Sequence, residues 1–191
     1  MTILETALCN LKDEVMLSGY FNRFYAYAES IERGAEKFPQ VYTGNGQYKP
    51  IYDFDVNGSG YFRKTGQSYI SVIGSSGSIV ACSDSNPLID ITVPLRLVAA
   101  VHKKKMDDNG FSDDTLAFDL ISYIGRKQAG ITDVQSVHGH VQSYTTDRDR
   151  VWSDEVRGIN KQVDLNLSFI AIDFNLVMRA KLDCIQQNCD Y

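Results

Sequence analysis

Apolar residues recur at two different periods along this chain, and the change of period marks its elements. Near the start, Leu4, Leu8, Leu11 and Val15 follow at steps of four, three and four, which is one face of a helix. Thr2 and Glu5 fit a capping box, in which each side chain satisfies an amide left open at the helix start. Gly19 is placed to stop the helix. Residues 20–38, YFNRFYAYAESIERGAEKF, fit either a second helix or an aromatic strand running into a turn, and Gly34 and Pro39 end the segment in both cases.

The middle of the chain reads as strands. Val41-Tyr42-Thr43 and Gln47-Tyr48 flank Gly44-Asn45-Gly46, and Asn-Gly is a hairpin signal because both residues tolerate positive φ. Asn57-Gly58 precedes Tyr61-Phe62-Arg63-Lys64, and short strands are expected at 69–73 and 79–82 around a Gly/Ser loop. The clearest strand is 88–102, LIDITVPLRLVAAVH. Ile89, Ile91, Val93, Leu95, Leu97, Ala99 and Val101 take the odd positions, while Asp90, Thr92, Arg96 and His102 sit among the even ones. This alternation predicts one face in the core and one in water or an interface. Pro94 cannot donate to a ladder, so it predicts an edge strand or a bulge.

Lys103-Lys104-Lys105 with Asp107-Asp108-Asn109-Gly110 reads as a solvated turn. A helix over 112–127 follows, capped by Ser112, started by Asp113 and Asp114, and buried along Leu116, Leu120, Ile121 and Ile124. A weaker strand covers 134–144, and residues 145–160 form a charged arm carrying the chain's one Trp. The last strand, 163–177, changes phase: Val163, Leu165, Leu167 and Phe169 are odd, Ile170, Ile172, Phe174 and Leu176 even. Either a bulge near 169–171 returns both sets to one side, or both faces are buried. The sum is a single α+β domain over 1–191: a mainly antiparallel sheet, an N-terminal helix and one helix packed on the sheet.

Composition narrows the function. The chain has 191 residues and 43% hydrophobic content, enough for one substantial core. Its net charge of −5 does not suit a duplex-binding protein, which needs a basic surface to displace counterions. Cys9, Cys82, Cys184 and Cys189 show no disulfide-framework spacing, and MTILETALCNLKDEV puts acids where a signal peptide has a basic and then an apolar region. The expectation is reduced thiols, as in a cytosol, and no membrane span.

Candidate chemistry is sparse. His138-Gly139-His140 puts two imidazoles on one face of a strand, a spacing that can hold a metal, but no third ligand is evident and exposed strand histidines are the plainer reading. Cys184 and Cys189 lack the second pair of a zinc knuckle. Gly74-Ser75-Ser76-Gly77 lacks the Lys and the following helix of a phosphate-binding loop. Asp147, Arg148, Asp149, Arg150, Asp154, Glu155 and Arg157 alternate in sign and neutralise one another more readily than they serve acid–base work. No Gly-x-Ser-x-Gly or His-Glu-x-x-His motif is present. The expectation is no enzyme, no cofactor and no structural metal.

Several stretches carry a family resemblance: Phe38-Pro39-Gln40-Val41-Tyr42 with Gly44-Asn45-Gly46-Gln47-Tyr48, Tyr61-Phe62-Arg63-Lys64, Val93-Pro94-Leu95-Arg96-Leu97-Val98, Asp147-Arg148-Asp149-Arg150-Val151-Trp152 with Asp154-Glu155, and Ile170-Ala171-Ile172-Asp173-Phe174. In content and order the chain resembles the tail-terminator and head–tail connector ring proteins of long-tailed and podovirus-like phages, in versions from phages and prophages of Bacteroidetes-type bacteria. The N-terminal region is longer than the minimal family pattern. The resemblance implies a tail-terminator-like fold and a homo-oligomeric ring, often hexameric or dodecameric, stacked between portal and tail proteins with viral DNA passing through its lumen. It implies a virion protein, assembled in the host cytoplasm, with no catalytic residues and no membrane partner.

The chain's chemistry is compatible with that implication. An acidic balance suits a channel that DNA slides through, and 11 Tyr suit interfaces. The candidate subunit interface is the charged arm, through Arg148, Arg150, Trp152, Glu155 and Arg157, with Tyr61, Phe62 and Arg63 as a further surface. Trp152 has a second reading, folded back on its own sheet. The alternative functions are a small-ligand-binding or enzymatic α+β domain using the glycine-rich loop or His138 and His140, and a host-directed protein-binding factor.

Overall fold

The computed structural model describes residues 3–44, 47–50, 58–73, 88–107, 112–126, 134–158 and 165–181. In chain order the elements are α1 (Ile3–Met16), β1 (Arg23–Arg33), β2 (Glu36–Gly44), β3 (Gln47–Pro50), β4 (Ser59–Lys64), β5 (Tyr69–Ile73), β6 (Leu88–His102), α2 (Lys103–Asp107), α3 (Asp113–Gly125), β7 (Val134–Thr145), α4 (Arg148–Glu155) and β8 (Leu167–Lys181). The class is α+β, with one mixed, mostly antiparallel sheet in the order β3-β2-β1-β4-β6-β8-β7 and β5 also paired to β6. No helix among the described residues is long and apolar enough to cross a membrane.

Helix α1 forms where the 3-and-4 spacing placed it, and it buries Ala7, Leu8, Leu11 and Val15. Gly19, at φ 76°, ends the turn that follows. Thr2, the proposed cap, lies outside the described residues. The ambiguous stretch 20–38 is a strand hairpin: β1 pairs with β2 from Ala28↔Val41 to Arg33↔Glu36, turning through Gly34 at φ 61°. Both faces of β1 are used, Phe24 and Ala26 with the α1 core and Ala28 with the opposite core. A helix presents one apolar stripe and could not serve two layers. The expected strand at 79–82 lies outside the described residues, and the lysine turn is the short helix α2, which buries Met106.

Strand β6 is the spine. Strand β8 pairs with it without a break from Leu88↔Lys181 to His102↔Leu167. Along the other edge, β4 covers Leu95–Ala100 and β5 covers Leu88–Thr92, so β4 and β5 lie end to end. Pro94 falls in the gap between them, where its carbonyl accepts from Thr65 N at 3.0 Å. Proline is therefore tolerated in a central strand rather than at an edge or bulge, because its missing N–H points where no ladder partner sits.

The odd positions of β6 enter the main core with α1 and α3, although Ile91 is only half-buried. Helix α3 begins at Ser112, whose Oγ accepts from Thr115 N at 3.2 Å, and it seats Leu116, Ala117, Leu120 and Ile124 on the sheet. The even face does not face water throughout: Val98 and Ala100 are fully buried in a second core on the opposite side. Strand β8 shows the same division. Ile170, Ile172, Phe174 and Leu176 join the main core, and Leu167, Phe169 and Ala171 join the second. The uninterrupted register excludes the bulge and selects burial on both faces.

Candidate functional site

The second core is covered by the segment that its charges mark as an arm. Residues 148–155 are a helix, α4, lying on the sheet face opposite α1 and α3. Asp147 caps it, accepting from the amides of Asp149 and Arg150. Val151 and Glu155 are one turn apart and share the buried face. Trp152 packs edge-on against Phe169, with ring centroids 5.9 Å apart, and the Arg148 guanidinium lies 5.9 Å from the same ring. Beyond the helix, Arg157 and Lys37 exchange two backbone hydrogen bonds of 2.8 and 2.9 Å with the edge of β2. Gly158 follows at φ 73°, where an added Cβ would stand 2.6 Å from Ala35 O. The segment therefore straps the subunit's own sheet, from the end of β7 to the edge of β2.

Under the strap lies a charge network. Glu155, 2% exposed, accepts from the Tyr61 hydroxyl at 2.8 Å and from Arg63 Nε at 2.9 Å, and Arg63 Nη2 stands 2.8 Å from Oε1. Next to it, Arg96 binds Asp173 through two hydrogen bonds of 2.7 and 2.9 Å and reaches Asp154 at 3.1 Å. Asp173 also accepts from Ser143, and Lys37 Nζ donates to the Asp154 carbonyl at 2.8 Å. Arg96 and Asp173 are direct cross-strand partners on β6 and β8. A second such pair, Asp90 and Arg179, is bidentate at 2.9 and 3.0 Å.

The electrostatics keep Tyr61 protonated, Asp173 ionised and Arg96 charged at neutral pH. Burial, then the Glu155 charge, pushes the Tyr61 hydroxyl well above its usual value, so it remains a donor. Burial pushes the Asp173 carboxyl up, but Arg96, Ser143 and Arg63 outweigh it and hold Asp173 below the usual carboxylate range. Arg96 is raised, first by its hydrogen bond to Asp173. A general acid or base needs a pKa near neutrality, and Tyr61, Arg96 and Asp173 are each moved away from it. The network is built to hold α4 down.

The eight residues expected at a subunit interface thus divide. Tyr61 and Phe62 are buried in the subunit, at 1% and 0% exposure, and Arg63 is bound to Glu155. Trp152 and Arg148 are half-buried against their own sheet, and Arg150 and Arg157 stay exposed. The arm is a helix with a buried side because its polar residues have partners on β4, β6 and β8. Sequence reasoning missed Arg96, Asp173 and Lys37 as members of the network. Their signal is visible in retrospect: Arg96 and Asp173 are charges inside otherwise apolar strands, where a charge needs a partner.

His138 and His140 stand on β7, opposite Val177 and Asn175 of β8. Their Nε2 atoms are 3.0 Å apart. Gly139, between them, faces α3, where an added Cβ would meet Ile124 Cγ2 at 2.4 Å. Among the described residues no group of three or more His, Cys, Asp or Glu is arranged around a metal position. Cys184, Cys189 and the Gly74–Gly77 loop lie outside the described residues. Comparison with protein families, with curated proteins and with solved structures finds no match to this chain.

Proposed function

We propose that this chain is a structural subunit that assembles head to tail with copies of itself into a ring, of the kind that joins phage heads to tails or closes the tail end. The observation that carries this reading is that exposed aromatic residues stand at both ends of the sheet, in addition to Tyr69, 55% exposed, on β5 beside the central strand. At the β7 end, Phe118 of α3 is 62% exposed and Tyr144 is 39% exposed, and their rings meet edge to face at 6.0 Å. At the β3 end, Tyr48 is 46% exposed. The first patch is flanked by the exposed acid Asp114, which accepts from the Tyr144 hydroxyl at 3.5 Å, and Tyr48 is followed on β3 by the exposed base Lys49, an opposite charge.

Two unlike, complementary patches at opposite ends of one subunit suit a heterologous contact, which closes into a ring when the rotation permits. Large exposed aromatics flanked by polar groups are typical anchors of such contacts. The net charge of −5 supports a lumen that DNA crosses without adhering. An enzymatic reading draws no support from the charge network, which is occupied by its own ion pairs. The test is the mass of the purified chain by light scattering: a closed multimer of the 21.4 kDa subunit is expected, and a monomer at every concentration overturns the reading.

A further inference from the structure

The two edges of the sheet are built differently. Among the described residues β3 is the outermost strand on one side and β7 on the other. The β3 side is guarded: β3 covers β2 over 40–44, Arg157 covers it at Lys37, and β3 itself has four residues that include Lys49 and Pro50. Shortness, lysine and proline are common means of blunting an edge. Strand β7 has none of them. It runs for 12 residues, VQSVHGHVQSYT, without Asp, Glu, Lys, Arg or Pro. Its register with β8 shifts between Val134 and Ser136 and between Val141 and Ser143, so 136–141 is a regular segment long enough to receive a strand.

Direction and face both agree with pairing between these edges. Followed across the ladders, β7 and β3 run in opposite directions. A copy placed head to tail with its sheet in line therefore brings its β3 antiparallel to β7. Tyr144 stands opposite Ile172 of the main core. Tyr48 stands opposite Tyr42, whose neighbour Val41 belongs to the second core, so Tyr48 is on the main-core face as well. The exposed aromatics of the two ends thus share one face of the continued sheet. Lys49, opposite Val41, lies on the other face. So do His138 and His140, whose partners Val177 and Asn175 stand opposite the even positions Thr92 and Pro94 of β6.

We infer that β3 of one copy adds to the 136–141 edge of β7 in the next, so that main-chain hydrogen bonds carry the sheet from subunit to subunit. This rests on the ring reading above and supplies its mode of contact. The two edges are unlike, so each subunit uses each edge once, as a head-to-tail contact demands. In strand addition main-chain bonds give the affinity, and side chains at alternate positions set the register. Pro50 has no N–H to donate and ends the pairing, which confines it to 47–49.

The experiment is amide hydrogen exchange of the full-length chain, read residue by residue, with Tyr48→Asp as the unassembled reference. In the wild-type multimer the alternate amides of 136–141 that point away from β8 should exchange at least about tenfold more slowly than in the reference. The amides of α1 should exchange alike in both. The double variant His138→Lys/His140→Lys puts charge on the receiving edge, on the face that Lys49 of the next copy shares. It should abolish assembly with far-UV circular dichroism unchanged. A multimer whose 136–141 amides exchange as they do in the reference, or a double variant that assembles as the wild type does, overturns strand addition and leaves the ring standing. A wild type that is monomeric overturns both.

Discussion

The Tyr61 hydroxyl donates to Glu155 Oε2 at 2.8 Å, joining β4 to α4 across 94 residues of chain. That bond, with the Arg63 fork on the same carboxylate, anchors the strap. Removing one member of a buried ion pair leaves an uncompensated charge and costs about 3–5 kcal/mol. Glu155→Ala is therefore expected to destabilise the subunit by that amount, because Arg63 loses its counterion. Urea unfolding monitored by Trp152 fluorescence measures it. A loss under about 1 kcal/mol would place Glu155 among ordinary surface charges.

The Arg96–Asp173 pair sets an acid limb. Asp173 titrates lower in the folded chain than its ordinary value of 3.8. A lowered carboxylate pKa contributes stability that is fully present above the unfolded value and is lost as pH falls through the folded one. Wild-type stability should decline as pH drops below about 4, and Asp173→Asn should flatten that decline while lowering stability at neutral pH. Unfolding curves at stepped pH test the sign; an unchanged acid limb in the variant excludes Asp173 as its source.

Gly139 is a packing position. A methyl there would meet both Ile124 Cγ2, at 2.4 Å, and the Ile124 carbonyl oxygen, at 2.7 Å. Gly139→Ala is expected to cost about 1–3 kcal/mol through overpacking. Since backbone cannot yield as a side chain can, the Gly139→Ala loss should be smaller in an Ile124→Ala background, which removes Cγ2, but should not vanish, because the Ile124 carbonyl stays in place. Thermal melts of the single and double variants read both effects.

Alternation made most of the main core legible. Ile89, Val93, Leu95, Leu97, Ala99 and Val101 announce their common face, and all are buried. The second core was not legible, because its lid is α4 and the partners of α4 are remote in sequence. Arg96 is 58 residues from Asp154, and Tyr61 is 94 from Glu155. Read locally, a run of alternating charges is a solvated arm. Pro94 misled for a similar reason: the gap between β4 and β5 that accommodates it is a property of two other strands.

Trp152 separates the strap from an intersubunit contact. Half-buried on Phe169, it should behave as part of the fold, and Trp152→Ala should cost about 2 kcal/mol. The exposed Arg150 should change stability by less than about 0.5 kcal/mol when replaced by Ala. Chemical denaturation distinguishes them. Equal, negligible effects would mean that α4 contributes nothing through its aromatic side.

Head-to-tail assembly is the central claim, and mixing two crippled variants tests it most directly. Phe118→Asp disables the β7-end patch and leaves the β3 end intact; Tyr48→Asp does the reverse. Each variant alone should be a folded monomer by light scattering. Their equimolar mixture should give a species of twice the 21.4 kDa chain mass and nothing larger, since one good contact remains and no ring can close. Variants that assemble as the wild type does, or a mixture that stays monomeric, would contradict the account.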